Sequence, residues 1–352
     1  MVLLTPGPCQ TSETVRQAAV ARDFNHRDPE FAVILDDIRR RLLAVYPTTP
    51  DWVAYLLGGS GTAAMEAMAA SCIRYGPVLV LENGYYSARM ADIFSAHRIE
   101  CDRMSFGWLD PISIALVEDR LKSRAYEAVV LAHNETTTGR LNPVEAIAGL
   151  AHRMRVRCLV DATSSFGADT LDLEHIDAIC ASGNKCLHGI AGVSFVLASP
   201  DMAELMRRVP PRSFYLHLPN YESDSARSTP PVPALLALQQ ALIEMPGGVA
   251  SYRREVYIAR ANRLRNALLE RDLAFVVDPA KASCTLTTCQ VPAGFTASQW
   301  LAANYEKGYV LYGCKGELAE SCFQVANMGE LTDEQIEDWV AVFRELTAKM
   351  GS

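Results

Sequence analysis

A lysine and an upstream acid are the two residues of this chain best placed to do chemistry together. Lys185 follows the apolar run at residues 176–183 and is flanked by small residues. Burial disfavours the charged form of such a lysine, and a neutral amine is a nucleophile for carbonyl groups. Asp161 ends another short apolar run. Because an acid can keep a pyridine nitrogen protonated while a lysine carries an aldehyde, the pair predicts a pyridoxal phosphate site.

A glycine-rich loop upstream of this pair is a candidate phosphate site. Gly58-Gly59-Ser60-Gly61-Thr62 follows a predicted strand and opens a predicted helix, so its backbone N–H groups suit a phosphate. The pattern Gly59-x-Gly61-x-x-Ala64 also resembles a dinucleotide fingerprint, and Glu82 lies where a ribose-binding acid is expected. A nicotinamide-dependent dehydrogenase is therefore an alternative, although it offers no joint role for Asp161 and Lys185.

Two further strand ends carry side chains that suit a ring-shaped ligand. Tyr86 follows Asn83-Gly84-Tyr85 and places an aromatic ring where it can cover a pyridine face, although a half-buried core tyrosine fits equally well. Thr136-Thr137-Thr138 ends the next strand. Three consecutive hydroxyls at a buried sheet edge indicate hydrogen bonding to a ligand, with a threonine-rich turn as the alternative.

Composition excludes several classes of protein. The chain of 352 residues has a net charge of −8 and no basic block, which argues against nucleic acid as the partner. Its ten cysteines include no Cys-x-x-Cys pair, so no metal site is expected. The sequence has no basic leader and no run of about 20 apolar residues, so neither a signal peptide nor a membrane span is predicted. We expect a cytoplasmic protein with small-molecule substrates.

Short β-rich runs alternate with helical patterns along most of the chain. Strands are predicted at residues 53–57, 78–81, 128–132, 158–160, 178–181 and 193–197, and helices between them at residues 62–73, 86–97 and 143–154. Such alternation predicts an α/β fold with a mostly parallel, buried sheet. Ligands bind at the carboxyl ends of the strands in these sheets, where Asp161 and Lys185 both fall.

The pattern changes after Pro230-Pro231-Val232-Pro233, which predicts a second unit. Helices are predicted at residues 234–244, 249–270 and 332–349. Met245-Pro246-Gly247-Gly248 breaks the helical pattern, so we place a domain boundary near residue 245. The predicted units are a large domain at residues 16–245 and a smaller α+β domain at residues 246–352.

Several of these motifs make the chain resemble the class V (fold type I) aminotransferases over nearly its whole length. The resemblance is carried by Leu3-Leu4-Thr5-Pro6-Gly7-Pro8, Gly59-Ser60-Gly61-Thr62, Asn83-Gly84-Tyr85-Tyr86-Ser87-Ala88-Arg89-Met90, Glu135-Thr136-Thr137-Thr138-Gly139-Arg140-Leu141-Asn142-Pro143, Val160-Asp161-Ala162-Thr163-Ser164-Ser165-Phe166-Gly167, Asn184-Lys185-Cys186 and Asn327-Met328-Gly329-Glu330. It implies a mostly parallel seven-stranded sheet in the large domain. It also implies that residues 1–15 pack on the small domain and that the protein is a homodimer with shared active sites.

The resemblance implies that one set of residues holds pyridoxal phosphate. This set is Ser60, Gly61, Thr62, Tyr86, Thr136, Asp161, Thr163, Asn184, Lys185 and Thr229. Lys185 and Asp161 are the implied catalytic residues. Lys185 would carry the aldehyde and move the proton, and Asp161 would pair with the pyridine nitrogen. Thr229 would reach the cofactor phosphate of the neighbouring subunit.

Two departures from the family pattern concern the substrate. Gln324 stands where the family usually has an arginine that grips the substrate carboxylate or phosphonate, so a bidentate ion pair is lost. The stretch Asn25-His26-Arg27-Asp28-Pro29-Glu30-Phe31 resembles instead the branch that acts on alanine and glyoxylate. We therefore hypothesise that His26 or Arg27 replaces part of the missing positive charge.

The resemblance implies amino transfer from a small primary amine to an oxo acid. The leading donor is 2-aminoethylphosphonate and the leading acceptor is pyruvate. Gln324 favours another class V transaminase, of the alanine–glyoxylate type or acting on a related phosphonate. A pyridoxal phosphate lyase is a further alternative, since the same cofactor linkage permits elimination. The nicotinamide-dependent dehydrogenase is the most distant of the alternatives.

Overall fold

The apolar runs of the sequence form the strands of a layered α/β protein. The structure is a computed structural model that describes residues 1–46, 51–222, 228–245, 247 and 250–348. Its strands are Val2–Leu3 (β1), Val53–Gly58 (β2), Val78–Glu82 (β3), Cys101–Ser105 (β4), Ala128–Ala132 (β5), Asn134–Glu135 (β6), Arg140–Leu141 (β7), Arg157–Asp161 (β8), Ala178–Ser182 (β9), Val193–Ala198 (β10), Leu286–Gln290 (β11), Tyr309–Val310 (β12), Tyr312–Gly313 (β13) and Cys322–Ala326 (β14).

The helices lie between these strands in the chain. They are Glu13–Ala19 (α1), Pro29–Leu43 (α2), Gly61–Cys72 (α3), Tyr85–Ala96 (α4), Ile114–Ser123 (α5), Val144–Arg153 (α6), Pro200–Met206 (α7), Val232–Ile243 (α8), Ala250–Leu269 (α9), Ala297–Glu306 (α10) and Asp333–Leu346 (α11). Within the described ranges, none of these helices combines the length and the apolar character that crossing a membrane requires.

Seven strands form the central sheet in the order β2-β10-β9-β8-β5-β3-β4. The strands from β9 to β4 are parallel to one another, and β10 is antiparallel to both of its neighbours. The predicted mostly parallel, seven-stranded sheet is therefore confirmed. Parallel strands need helical crossovers, which explains why helices cover both faces of this sheet.

Residues of the inner strands are buried on both faces of the sheet. In β3 the side chains of Leu79 and Leu81 pack into one hydrophobic cluster, while Val78 and Val80 pack into the cluster on the opposite face. Successive side chains of a strand point to opposite faces, so a strand covered on both sides must be apolar throughout. This is why the inner strands were readable as continuous apolar runs.

The smaller unit contains a three-stranded antiparallel sheet in the order β11-β14-β13. Trp300, Phe323, Trp339 and Phe343 lie at the centre of its hydrophobic cluster. The first strand of the chain pairs in parallel with β12, with Val2 opposite Tyr309. This pairing joins the start of the chain to the strand that follows α10.

The predicted boundary falls between α8 and α9. Two residues of its breaker motif, Pro246 and Gly248, lie outside the described residues, as do the predicted start of the ninth helix at Val249 and the predicted end of the last helix at Lys349. The division into units 1–15, 16–245 and 246–352 remains a prediction.

Candidate active site

The carboxyl ends of five strands meet at one edge of the central sheet. Strands β3, β5, β8 and β9 are parallel, and β2 runs in the same direction because β10 is antiparallel to both β2 and β9. Each of these strands is followed by one of the predicted functional motifs. The topology therefore gathers segments that are far apart in the sequence.

A cavity opens at this edge and collects most of the predicted residues. It is lined by Ser60, Gly61, Thr62, Met65, Tyr86, Arg89, Thr136, Asp161, Thr163, Ser164, Ser182, Asn184 and Lys185. Every predicted cofactor-binding residue except Thr229 is in this set.

Asp161, at the end of β8, leaves one carboxylate oxygen directed to the cavity. Its Oδ1 accepts hydrogen bonds from the backbone N–H of Thr163 at 2.9 Å and from the thiol of Cys180 at 3.8 Å. Within the described residues Oδ2 has no hydrogen-bond partner, and the side chain is 6% exposed. A buried carboxylate with one unengaged oxygen suits a ligand that presents an N–H group.

Lys185 extends from the segment after β9 into the same cavity. Burial lowers the pKa of Lys185 below its ordinary value, and the nearby Cys186 and Asp161 oppose that shift only in part. Its Nζ donates a hydrogen bond to the Pro6 carbonyl at 2.6 Å. Gly7 packs on the lysine so closely that an added Cβ atom would lie 2.9–3.1 Å from its side chain. The N-terminal segment therefore forms a roof over the amine.

The start of α3 offers an anion site. Ser60 caps this helix in an extended conformation without a side-chain hydrogen bond to it, and the first turn contains no acidic residue. The hydroxyls of Thr163 and Ser182 are buried beside it without a hydrogen-bond partner among the described residues. Free helix N–H groups and unpartnered hydroxyls favour an anionic ligand. Gly61 permits the close packing, since an added Cβ atom would lie 2.6 Å from the Thr163 methyl carbon.

Glu135 fixes the start of the helix that presents Tyr86. It is fully buried, and its carboxylate accepts hydrogen bonds from the backbone N–H groups of Tyr86 at 3.3 Å and Ser87 at 2.9 Å. It also accepts from the Thr137 hydroxyl at 2.6 Å. A carboxylate at a helix N-terminus is favoured by the helix dipole. Gly84 is required here, because a Cβ atom at this position would overlap the Glu135 carboxyl group.

Thr136 lines the cavity, but Gln324 does not. The Thr136 hydroxyl donates to the Ser164 hydroxyl at 2.7 Å. The Gln324 side chain is 2% exposed, and its Nε2 donates to the carbonyls of Thr136 at 2.6 Å and Thr137 at 3.0 Å. Gln324 thus supports the turn that carries Thr136, whereas the sequence analysis places Gln324 at the substrate.

The other substrate candidates also lie away from this cavity within one chain. His26 is half-buried and Arg27 is exposed in the segment before α2, and neither lines the cavity. Thr229 is exposed and is likewise absent from the cavity of its own chain. The glutamate of the dinucleotide alternative, Glu82, instead faces Arg103 at 3.5 Å.

Four lining residues had no predicted role, namely Met65, Arg89, Ser164 and Ser182. Arg89 was detectable, because residues three positions apart share a helix face and Arg89 follows Tyr86 by three. Its Nη1 donates to the Thr62 hydroxyl at 3.1 Å, which links α4 to the start of α3. Ser164 lies within the motif that contains Asp161.

A lysine, an acid and a free helix N-terminus around one cavity, at the edge of a mostly parallel sheet, define a pyridoxal phosphate enzyme of fold type I. The family model described as aminotransferase class-V matches residues 10–303. A relative from Klebsiella pneumoniae, named 2-aminoethylphosphonate–pyruvate transaminase, is 34% identical over 354 residues, which cover 95% of this chain and 94% of the relative. A relative of the same name from Salmonella schwarzengrund is 31% identical and covers 94% of this chain and 93% of its own length.

Solved structures agree with this assignment. Alanine–glyoxylate aminotransferase from Nostoc sp. superposes with a TM-score of 0.91 at 25% identity, covering 98% of this chain and 94% of that one. A Thermus thermophilus aspartate aminotransferase gives the same TM-score and identity, with 99% of both chains covered. The chain belongs to the class V aminotransferases. It is a transaminase that uses pyridoxal phosphate, with an amine and an oxo acid as substrates, and not a nicotinamide-dependent dehydrogenase.

The cavity fits this cofactor. The unengaged Oδ2 of Asp161 suits a pyridine N–H group, and the amine of Lys185 suits the aldehyde. The unpartnered hydroxyls of Thr163 and Ser182 lie between the acid and the helix N-terminus that suits the phosphate. The donor set therefore matches the three polar ends of the cofactor.

Proposed function

We propose that this protein transfers the amino group of 2-aminoethylphosphonate to pyruvate, which yields phosphonoacetaldehyde and alanine. One observation carries the proposal: the lysine–acid cavity occurs in a chain 31–34% identical, over almost its whole length, to transaminases named for these two substrates. The donor is a small amine, the acceptor is a small oxo acid, and each has one anionic group. The roles of individual residues below belong to the same proposal.

The cofactor is held at three places. Ser60, Gly61 and Thr62 bind the phosphate through the N-terminus of α3. Tyr86 stacks on the ring, and the remaining contacts come from Thr136, Thr163 and Asn184. The geometry that supports these roles is their common position around one cavity, with Tyr86 fixed by the carboxylate beneath its helix.

Asp161 and Lys185 carry the chemistry. When bound, pyridoxal phosphate supplies an aldehyde for the amine and a ring that accepts the electrons released at the substrate carbon. Asp161 would pair with the pyridine N–H group of the cofactor through Oδ2. Lys185 would bind the aldehyde through Nζ and, once freed from it, would serve as the base that takes the proton from the donor and returns it. Burial favours the neutral form of Lys185, which such a base requires. The Pro6 carbonyl accepts a hydrogen bond from this amine.

A half-reaction with each substrate tests the activity. The yellow enzyme is mixed with 2-aminoethylphosphonate without an acceptor, and loss of its visible absorption band is followed. Pyruvate is then added, and we expect the band to return with one alanine formed per site. Lys185→Ala is the control and abolishes both changes. Ammonia release without an acceptor would instead identify a lyase.

A second candidate is favoured by the position of Gln324. With no arginine at this position, a transaminase of the alanine–glyoxylate type fits the cavity as well, and the Nostoc enzyme shares the fold at 25% identity. The same half-reaction with alanine distinguishes the two. If alanine removes the absorption band and glyoxylate restores it, while 2-aminoethylphosphonate leaves the band unchanged, the second candidate replaces the first.

The proposed assembly is a homodimer in which Thr229 of each chain reaches the phosphate bound by the other. Support comes from the exposure of Thr229 and its absence from its own cavity. Mixed dimers of two variants test whether the two subunits share their active sites. Lys185→Ala and Thr229→Ala subunits, mixed and reassociated, form heterodimers with one intact site, so activity should recover to about a quarter of the wild-type value. Each variant reassociated alone is the control, and no recovery would contradict shared sites.

A further inference from the structure

Gln324 has no donor left for a substrate anion. Its side-chain amide has two N–H groups, and these already face the carbonyls of Thr136 and Thr137 and the Thr288 hydroxyl, the last at 3.0 Å. The free side-chain oxygen is an acceptor and repels a carboxylate or phosphonate. The positive charge that binds such a group must therefore come from another part of the cavity.

Two cations lie against one pair of tyrosine rings, and one of the two, Arg89, lines the cavity. The Arg89 guanidinium carbon lies 5.2 Å from the ring centre of Tyr85 and 4.9 Å from that of Tyr86. The Lys315 ammonium lies 4.7 Å and 5.9 Å from the same two centres. Tyr86 lines the cavity and Tyr85 is exposed, so the two rings lead from the cavity to solvent and both cations lie beside them.

These cations have no acidic partner among the described residues. Within the described part of the chain neither forms an ion pair with a carboxylate, and the only hydrogen bond of the Arg89 side chain is the one to Thr62. By contrast Arg103, on the outer strand, is paired with Asp92. An aromatic ring attracts a cation through its quadrupole and carries no net charge. The tyrosines therefore hold two positive charges in place without neutralising them.

The turn that presents Lys315 is itself anchored. Lys315 lies between β13 and β14, on the same sheet as Gln324, and Tyr312 of β13 is directly opposite Gln324. The next residue, Gly316, packs so closely on the Trp108 ring that a Cβ atom there would overlap it. The lysine therefore emerges from a fixed position, and its ammonium reaches the tyrosine pair.

We propose that Arg89 and Lys315 form the anion-binding part of the substrate site and take the phosphonate of the donor and the carboxylate of the acceptor. The inference rests on the proposed function and assigns the substrate charge to two residues at the cavity mouth instead of to position 324. A transaminase binds its two substrates in turn at one place, so one pair of cations serves both anions. The guanidinium offers several parallel N–H donors, and the ammonium is a compact point charge.

The first test removes the lysine charge. Lys315→Met keeps the length of the side chain, and Lys281→Met, at an exposed lysine that does not line the cavity, is the matched control. The donor half-reaction is measured with 2-aminoethylphosphonate and with ethylamine, which lacks the phosphonate. Loss of a charge-assisted contact predicts a KM for 2-aminoethylphosphonate raised about tenfold or more, with the ethylamine rate unchanged.

The second test separates the substrate anion from the cofactor phosphate. Arg89 contacts Thr62, so Arg89→Met is examined for the Kd of pyridoxal phosphate, measured on the apoenzyme, and for the Kd of methylphosphonate, measured by calorimetry on the holoenzyme. We expect the methylphosphonate Kd to rise more than the cofactor Kd. A rise confined to the cofactor would assign Arg89 to the cofactor phosphate and overturn its part in the proposal.

The calorimetric measurement also separates this inference from the proposed function. If 2-aminoethylphosphonate fails to react with the wild-type enzyme, the proposed donor is wrong, while methylphosphonate and acetate still report on the anion site. An unchanged Kd for both anions in Lys315→Met, with wild-type folding, would overturn the inference whatever the donor is.

Discussion

The floor and the mouth of the cavity are built in different ways. The floor consists of Asp161, Thr163, Ser182 and Lys185, which lie at or just after the ends of neighbouring strands β8 and β9. The mouth consists of Tyr85, Tyr86, Arg89 and Lys315, which come from a helix and from a turn of the second sheet. The floor is positioned by backbone pairing, and the mouth is positioned by long side chains packed on aromatic rings.

This difference separates the type of reaction from the choice of substrate. Floor residues cannot move without disturbing the register between β8 and β9, in which Asp161 lies opposite Cys180. Mouth residues can be exchanged with little effect on the sheet. A class V chain can therefore keep its lysine–acid chemistry while an arginine at position 324 is replaced by charges elsewhere.

The largest effect is expected at the floor. Asp161→Asn removes the carboxylate that we propose pairs with the pyridine nitrogen, and kcat should fall roughly 10²–10⁴-fold for every amine donor. Asp169→Asn is the matched control, because this aspartate is equally buried but binds Ser283 and Cys284 away from the cavity. Single-turnover absorbance measurements distinguish the two, and equal losses of kcat would show that burial, not position, explains the effect.

The support beneath the mouth should be the next most sensitive. Glu135→Gln places an amide against the N–H groups of Tyr86 and Ser87 and the Thr137 hydroxyl, which now lack a full acceptor. We expect the free energy of unfolding to fall by about 3 kcal/mol and the KM for anionic donors to rise. The exposed Glu145→Gln is the control in denaturant titrations. If Glu135→Gln kept the stability and the KM of the wild type, the buried carboxylate would not be what positions the mouth residues.

An effect on stability of similar size, but confined to acid pH, is expected behind the floor. The backbone N–H of His188 donates to the Lys185 carbonyl at 2.9 Å, and burial lowers the pKa of His188 to about 4. Between pH 6.5 and 4 the unfolded chain binds a proton here that the folded chain does not. Stability therefore falls as the pH falls, by roughly 3 kcal/mol in all. Urea titrations of wild type and His188→Gln test this, and equal pH dependence of the two would contradict it.

Much of the fold follows from the sequence, because buried parallel strands must be apolar throughout. The six predicted strands of the central sheet are present within a residue or two of their predicted bounds. The exception is β4, Cys101–Ser105, at the sheet edge. Its sequence Cys-Asp-Arg-Met-Ser carries charges and is partly exposed, so its apolar pattern is too weak to detect.

Site residues could be predicted from the sequence where they belong to local motifs, but not where their position depends on long-range contacts. Strand-end residues such as Asp161 and Lys185 can be identified because they follow apolar runs in the sequence. The contacts of Gln324 are with carbonyl groups of Thr136 and Thr137, and any residue type supplies a carbonyl, so the sequence holds no sign of them. The position of Lys315 beside Tyr85 likewise depends on how two separate sheets pack.

The most direct measurement compares one floor variant and one mouth variant with a charged and an uncharged donor. Half-reaction kinetics of wild type, Asp161→Asn and Lys315→Met are recorded with 2-aminoethylphosphonate and ethylamine. We predict that Asp161→Asn lowers kcat for both amines by a similar factor, whereas Lys315→Met raises only the KM for 2-aminoethylphosphonate. A Lys315→Met variant that affects both amines equally, or an Asp161→Asn variant that discriminates between them, would contradict this account.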